Sequence, residues 1–437
     1  MPSRRALLAA CGTLTLAGCV GSRDDPTVRG SWPHPGYDST QTGVVDDDRS
    51  GPRGPLTVEW ERSIAGFSPP RTSPLLEDGT VYVAYTDGPR TGPEVDRTVT
   101  IEAFDAATGD SQWTAAATTT RVGGDTYHHA DSLVLAGETI LVQTANGLCA
   151  VGIDGTERWC FDNVSDGQST HWPIAPAIGD DTVYTGHYRQ LGPDEQEPVF
   201  YAIDLEDGTE RWRYEFDDWD GRIVFSPAIA DGVVYLTELR EGVKALSTAD
   251  GTELWSVPLD VDSTPTVADD AVFVTTWDGN DEYGATALEA DTGEIRWQVE
   301  DRYDGGAPRH LAATEDTVYY DADGRLLARD TATGEHRWEN TGRQLISREI
   351  DDDAIGEDEG VVVRTGTPAV VGDRIYVGGA DLVVIDRETG DVRTRYDTGQ
   401  RVRTSVAVGD GWLYVNDGST LYGITDCETE LFGRCLR

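Results

Sequence analysis

Arginine and histidine side chains recur at one kind of place in this sequence, just ahead of short apolar runs. They are Arg71; His128 and His129; His171 beside Trp172; Arg222; Arg309 and His310; Arg364; and Arg401 with Arg403. If those runs line a common axis, these side chains form a positive funnel that would draw in an anionic ligand or an acidic peptide. The simpler alternative is that each arginine pairs with a nearby carboxylate, as structural ion-pair networks do. The sequence has no phosphate-binding glycine loop, zinc-protease motif or nucleophile elbow, so no catalytic residue is expected. Six cysteines are present, and four of them, Cys149, Cys160, Cys427 and Cys435, lie beyond residue 20. Cys149 and Cys160 flank a turn at Ile153-Asp154-Gly155 and could face each other across a hairpin, while Cys427 and Cys435 would close a small C-terminal loop. Four cysteines allow three connectivities, and without any Cys-x-x-Cys spacing a zinc site is the weaker reading. Asp278-Gly279-Asn280-Asp281-Glu282 offers oxygen ligands for a hard cation, but in a chain with 79 Asp and Glu such a run arises by chance, and no metal is expected there.

The 437 residues carry a net charge of −44, which excludes nucleic acid as a partner because phosphate binding needs a basic face. Of 35 basic residues only Lys244 is lysine. A carboxylate surface nearly free of lysine suits molar salt, where screening shortens to ~3 Å, and points to a halophilic protein. Ser3-Arg4-Arg5 ahead of Leu7-Leu8 resembles a twin-arginine export signal, and the apolar stretch from Ala6 to Gly18 is too short to span a bilayer. Leu16-Ala17-Gly18-Cys19 resembles a lipobox, in which Cys19 would carry the lipid that tethers the protein to the outer side of the cell membrane. Export also makes the Asn163-Val164-Ser165 sequon usable. Residues 1–18 are therefore expected to be a signal and 19–55 a tether and lead-in, in which Trp32-Pro33-His34-Pro35-Gly36-Tyr37-Asp38 is too aromatic for a free linker and should lie on the folded part.

What must position the basic residues is a repeat. Ala202-x-Asp204-x-x-x-Gly208-x-x-x-Trp212 recurs at Ala103 to Trp113 and Ala328 to Trp338. With a changed acid it recurs at Ala245 to Trp255 and Ala287 to Trp297, and one residue short at Ala150 to Trp159. A further copy runs through Asp386 and Gly390 to Thr394, without tryptophan. The residues before the glycine alternate as a strand, the glycine supplies the positive φ of a hairpin turn, and the tryptophan returns at a fixed register. A second phrase, such as Ser226-Pro227-Ala228-Ile229-Ala230-Asp231-Gly232, precedes each copy and occurs eight times. The tryptophan strand follows it only seven times, and the missing one stands first, in Leu56-Thr57-Val58-Glu59-Trp60. That is the arithmetic of a closed ring. The mean spacing of about 48 residues fits a four-stranded propeller blade. An all-β, eight-bladed β-propeller of four-stranded antiparallel blades is expected over 56–426, closed by the N-terminal strand around Trp60, with 427–437 as a tail.

The repeat resembles the tryptophan-docking phrase of pyrroloquinoline quinone (PQQ) dehydrogenases and their non-enzymatic relatives. The resemblance implies that Trp60, Trp113, Trp159, Trp212, Trp255, Trp297 and Trp338 each dock between neighbouring blades, and that the seam at Thr394 is looser. It implies two functional classes: scaffolds of the BamB type and PQQ-dependent dehydrogenases that hold the quinone on the axis with calcium. The absence of an adjacent Cys-Cys pair favours the scaffold, a monomeric tethered propeller that binds envelope or membrane proteins and uses no cofactor. PQQ with calcium, or another anionic ligand in the funnel, is the alternative.

Overall fold

Each tryptophan of the repeat sits opposite a small residue, and that rung explains the blade. In the computed structural model Ala103 pairs with Trp113, Ala202 with Trp212, Ala245 with Trp255, Ala287 with Trp297 and Ala328 with Trp338 across the outer two strands. Bulk on one side of the rung is matched by its absence on the other. Where the outer strand carries Thr394, the partner is the larger Val384, so the rung is inverted. In the closing blade the small partner of Trp60 is Gly423.

The structure describes residues 28–45, 51–64, 72–87, 95–122, 132–144, 147–162, 175–192, 195–216, 224–277, 282–302, 310–322, 325–340, 366–379, 381–399, 402, 404–427, 430–431 and 434–435. Its strands form eight blades in chain order, each running from an innermost to an outermost strand. Blade one is typical, with Leu75–Glu77, Thr80–Asp87, Val95–Asp105 and Ser111–Val122. Blade eight takes Ala407–Gly409, Trp412–Asn416 and Thr420–Asp426 from the end of the chain and Leu56–Ser63 from its beginning. The ring is therefore closed by the strand that bears Trp60. Blade seven is larger than expected: Val44–Val45 adds a fifth strand, parallel to Ala369–Val371 on its inner side.

Six of the seams between blades follow one rule, while Trp113 only lies on Gly155. A tryptophan lies on the turn glycine of the next blade and donates its indole N–H to a carbonyl three residues before that glycine. Trp60 does so to Ala106, Trp159 to Leu205, Trp212 to Thr248, Trp255 to Ala290, Trp297 to Thr331 and Trp338 to Arg387, at 2.7–3.0 Å. The glycine is thus needed twice. Gly334 has φ +71°, and a Cβ there would stand 2.8 Å from the Trp297 ring.

The seam at Thr394 is built differently from the others. Blade eight has no turn between its third and fourth strands, because they come from opposite ends of the chain. The segment Gly51-Pro52 crosses there instead: Tyr376 donates its hydroxyl to Pro52 O at 3.0 Å, and a Cβ on Gly51 would collide with that same ring. Tyr376 makes this contact from the second strand of blade seven and is fully buried, as Tyr184, Tyr235 and Tyr414 make theirs beside a tryptophan in blades three, four and eight.

A second consequence of the spacing is an ion clamp on the outer strands. The repeat's acid caps its own turn with one oxygen; Asp204 Oδ1 accepts from the Glu206 and Asp207 N–H groups. Its other oxygen takes an arginine seven residues on, Arg211, which also reaches Asp181 in the blade's first turn at 2.7 Å. Arg296 joins Asp270 and Glu289 in the same way, Arg337 joins Asp316 and Asp330, and Arg393 joins Asp373 and Asp386. The Arg211 guanidinium draws the Asp181 carboxyl down to about 2.

Candidate functional site

The innermost strands of a propeller are edge strands facing the axis, and their backbone groups need partners. Residues 28–45 provide them. This segment runs once around the inside of the ring and accepts a hydrogen bond from every blade. The N–H of Leu76 donates to Trp32 O, Leu135 to Pro33 O, Ile178 to Ser39 Oγ and Ile229 to Ser39 O, at 2.7–3.2 Å. Val267 donates to Thr40 O, Ala313 to Thr42 O, Val370 to Gly43 O and Asp410 to Arg29 O, at 2.7–2.9 Å. The eight donors belong to blades one to eight in turn. The segment is a gasket seated on the face that carries the turns between first and second strands.

Its side chains fill the middle. Trp32 is fully buried with its ring 5.1 Å from that of Tyr37. His34 is buried too; its Nδ1 accepts from Gly36 N–H, so Nε2 carries the proton and faces Pro176 O at 3.2 Å. Burial drives the His34 pKa down to about 4, against the raising effect of the Pro176 contact, and the ring is neutral. Gln41 Nε2 donates to Pro227 O. Outside the plug lies an open crater of about 900 Å³, edged by Asp38, Asp231, Asp269, Glu315, Asp316 and Arg387. Asp38 is turned inward to Thr40 and Thr42, and its burial raises its pKa.

The opposite end of the axis is bounded by the links between blades. There, serine hydroxyls stitch successive blades: Thr367 N–H donates to Ser405 Oγ, Ser405 N–H to Ser73 Oγ, and Ala175 N–H to Ser226 Oγ. Of the basic residues expected to form a funnel, His310 is described, half-buried directly before the first strand of blade six. Arg71, His128, His129, His171, Trp172, Arg222, Arg309, Arg364, Arg401 and Arg403 lie outside the described residues, as do Cys19, Asn163 and Asp278 to Asp281. Cys149 and Cys160 are paired residues of the two outer strands of blade two and form a disulfide. Cys427 is also disulfide-bonded, and the Cys435 side chain lies outside the described residues. The gasket path and the arginine clamps were not anticipated. The clamps had a signal, an acid and an arginine seven apart in four copies.

The model of the family described as outer membrane protein assembly factor BamB matches residues 57–192, 151–259 and 195–351. The chain belongs to that family. BamB from Moraxella catarrhalis is similar in fold, 18% identical with a TM-score of 0.54, over 85% of this chain and 99% of that one. Quinohemoprotein alcohol dehydrogenase from Comamonas testosteroni is similar at 16% identity and a TM-score of 0.63, over 90% of this chain and 80% of that one. Among curated proteins, serine/threonine-protein kinase AfsK of Streptomyces coelicolor is 28% identical over 186 residues, and the match spans 20% of the kinase's length. BamB and the dehydrogenases share this fold, and the fold does not separate their functions.

A calcium-held quinone would need converging oxygen ligands on the axis. Among the described residues no group of three or more His, Cys, Asp or Glu is placed to hold a metal ion, and the Cys149–Cys160 bridge is on outer strands, away from the axis.

Proposed function

We propose that this protein is a membrane-tethered extracytoplasmic scaffold that docks envelope or membrane proteins on the face formed by its blade-to-blade links. The gasket carries this reading. Residues 28–45 occupy the axis at the turn face and meet all eight blades there, so the approach to the axis that they leave is from the link face. The family's description as an assembly factor supports a role in binding proteins. The tether is the lipid on Cys19, reached by twin-arginine export, and the acidic surface is suited to concentrated salt. Among the described residues no helix is long and apolar enough to cross a membrane. Crosslinking on native membranes tests the reading: reproducible adducts formed through the link face support it, and adducts confined to the turn face refute it.

A second reading has its own support, the fold shared with quinohemoprotein alcohol dehydrogenase over 90% of this chain. On it, arginines and histidines of the links would hold an anionic quinone. Adding PQQ with calcium while following tryptophan fluorescence and dye-linked alcohol oxidation separates the two. Saturable quenching with turnover replaces the scaffold by an enzyme. Quenching without turnover leaves a binding protein.

A further inference from the structure

Arg240 is held in place and makes no ion pair among the described residues. It sits between the second and third strands of blade four, Val233–Glu238 and Gly242–Ser247, on the link face. Its guanidinium lies over the Trp277 ring, 4.0 Å from the centroid, at the end of the second strand of blade five. Trp277 in turn stacks on Tyr283 at 6.4 Å. The Arg240 backbone is left-handed, φ 60°, and its N–H is fixed to Val261 O at 3.0 Å. Val261 is itself bridged to Leu239 and to Thr276, so the platform is knitted from two blades and the link between them.

Three observations single it out. Seven described residues other than glycine have positive φ; four are turn aspartates, two lie in the gasket, and Arg240 is the seventh. A left-handed arginine costs free energy, and such strain persists where the surroundings hold it. Second, the clamp arginines each have one or two carboxylates, whereas exposed Arg240 makes no ion pair among the described residues; the nearby Glu238 is taken by Lys244 at 3.3 Å. Exposed Arg29, Arg53 and Arg158 likewise make no ion pair among the described residues, and Arg240 differs from them in lying over an aromatic ring. Third, the Trp277 indole N–H, in the ring beneath Arg240, is shut off from solvent without an acceptor. That N–H is out of a docked group's reach, so the donor offered to a partner is the exposed fork of Arg240.

We infer that Arg240 and Trp277 form a docking point for a carboxylate-bearing, acidic segment of a partner protein. Arginine offers a planar fork to a carboxylate, and the aromatic platform removes the entropy cost of aiming it. Arginine and tryptophan are also the residues that dominate protein interfaces. The inference deepens the docking role proposed above by naming the anchor and the chemistry it takes.

The test uses the full chain, in salt that keeps it folded, with hexaglutamate as probe and hexaglutamine and acetate as controls. Binding is read by tryptophan fluorescence. Hexaglutamate should give a saturable change that Arg240→Ala weakens about tenfold or more and Trp277→Phe abolishes, with hexaglutamine silent and the turn-face variant Arg62→Ala unchanged. Equal responses from wild type and Arg240→Ala, or none from wild type, overturn the inference. Acetate binding as tightly as hexaglutamate also overturns it, in favour of a small-carboxylate site. Circular dichroism verifies that both variants are folded. If hexaglutamate binds through Arg240 while membranes give no link-face adduct, the docking role fails and the carboxylate site stands.

Discussion

Alanine at Gly334 should destabilise the propeller more than alanine at Gly372, although both glycines are left-handed. At Gly372, with φ +58°, a Cβ meets nothing within 4 Å, so the cost is the backbone penalty alone, about 1–2 kcal/mol. At Gly334, with φ +71°, the same penalty applies, and the Cβ stands 2.8 and 2.9 Å from Trp297 ring carbons, closer than packed atoms come. Trp297 cannot swing away, because its indole N–H is held to Thr331 O at 2.7 Å. Overpacking of this kind adds about 1–3 kcal/mol, so Gly334→Ala should lose about 2–5 kcal/mol in all. Urea unfolding at constant KCl, read by circular dichroism, gives both midpoints. A double-mutant cycle with Trp297→Ala isolates the contact: once the indole is gone, Gly334→Ala should cost what Gly372→Ala costs. Equal costs for the two glycine variants in the wild-type background would refute the claim that each turn glycine seats the tryptophan of the preceding blade.

Other consequences are measurable on the same footing. Tyr376→Phe should lose about 1 kcal/mol, the worth of one buried hydrogen bond, and its urea midpoint should fall less than that of Trp297→Ala, which empties a seam at about 3–5 kcal/mol. His34 has a folded pKa of about 4, below its unfolded value near 6.5, so the native state binds fewer protons and is destabilised as pH falls through that window. The loss should reach about 3 kcal/mol near pH 4, and His34→Gln should remove the slope of stability between pH 6.5 and 4. At lower pH the clamp carboxylates follow: Asp181, depressed to about 2, contributes stability above the unfolded carboxyl value that is lost as pH falls towards 2, and Arg211→Gln should shift that acid limb upward. Cys149→Ser with Cys160→Ser opens a bridge between residues 11 apart and should cost about 2–3 kcal/mol, matched by reductant on the unaltered chain.

The architecture was legible because its determinants are local and repeated. Alanine, aspartate, glycine and tryptophan stand at fixed offsets within a single hairpin, and a count of eight leading phrases against seven following strands already requires the displaced Trp60 strand to close the ring. The gasket was legible only as an aromatic lead-in with somewhere to lie. Its partners are backbone N–H groups spread from Leu76 to Asp410, which carry no side-chain signature, and one pass around a ring leaves no period to find. The eighth seam shows the same limit: Thr394 reads as a loss until Gly51-Pro52, more than 300 residues earlier, is seen to bring a carbonyl to Tyr376.

The clamp arginines mark the boundary between the two cases. Asp204 with Arg211, Glu289 with Arg296, Asp330 with Arg337 and Asp386 with Arg393 keep one spacing, and where blade four replaces the acid by Ser247 the arginine is replaced as well, by Leu254. Leu254 is the most exposed large apolar side chain among the described residues, at 52%. Blade one keeps Asp105 but has Gln112 at the seventh position, and Arg62 of the neighbouring blade reaches across to Asp110 and Thr108 O. In five of the seven copies acid and base are kept or lost together, as a pairwise contact demands; blade one keeps Asp105 without the arginine, and blade two keeps Arg158 where Gly152 stands in the acid's place. Arg240 lies outside the clamp positions, makes no ion pair among the described residues, and is held over Trp277. Among the described carboxylates none takes Arg240, which leaves its exposed fork for a carboxylate of the proposed partner.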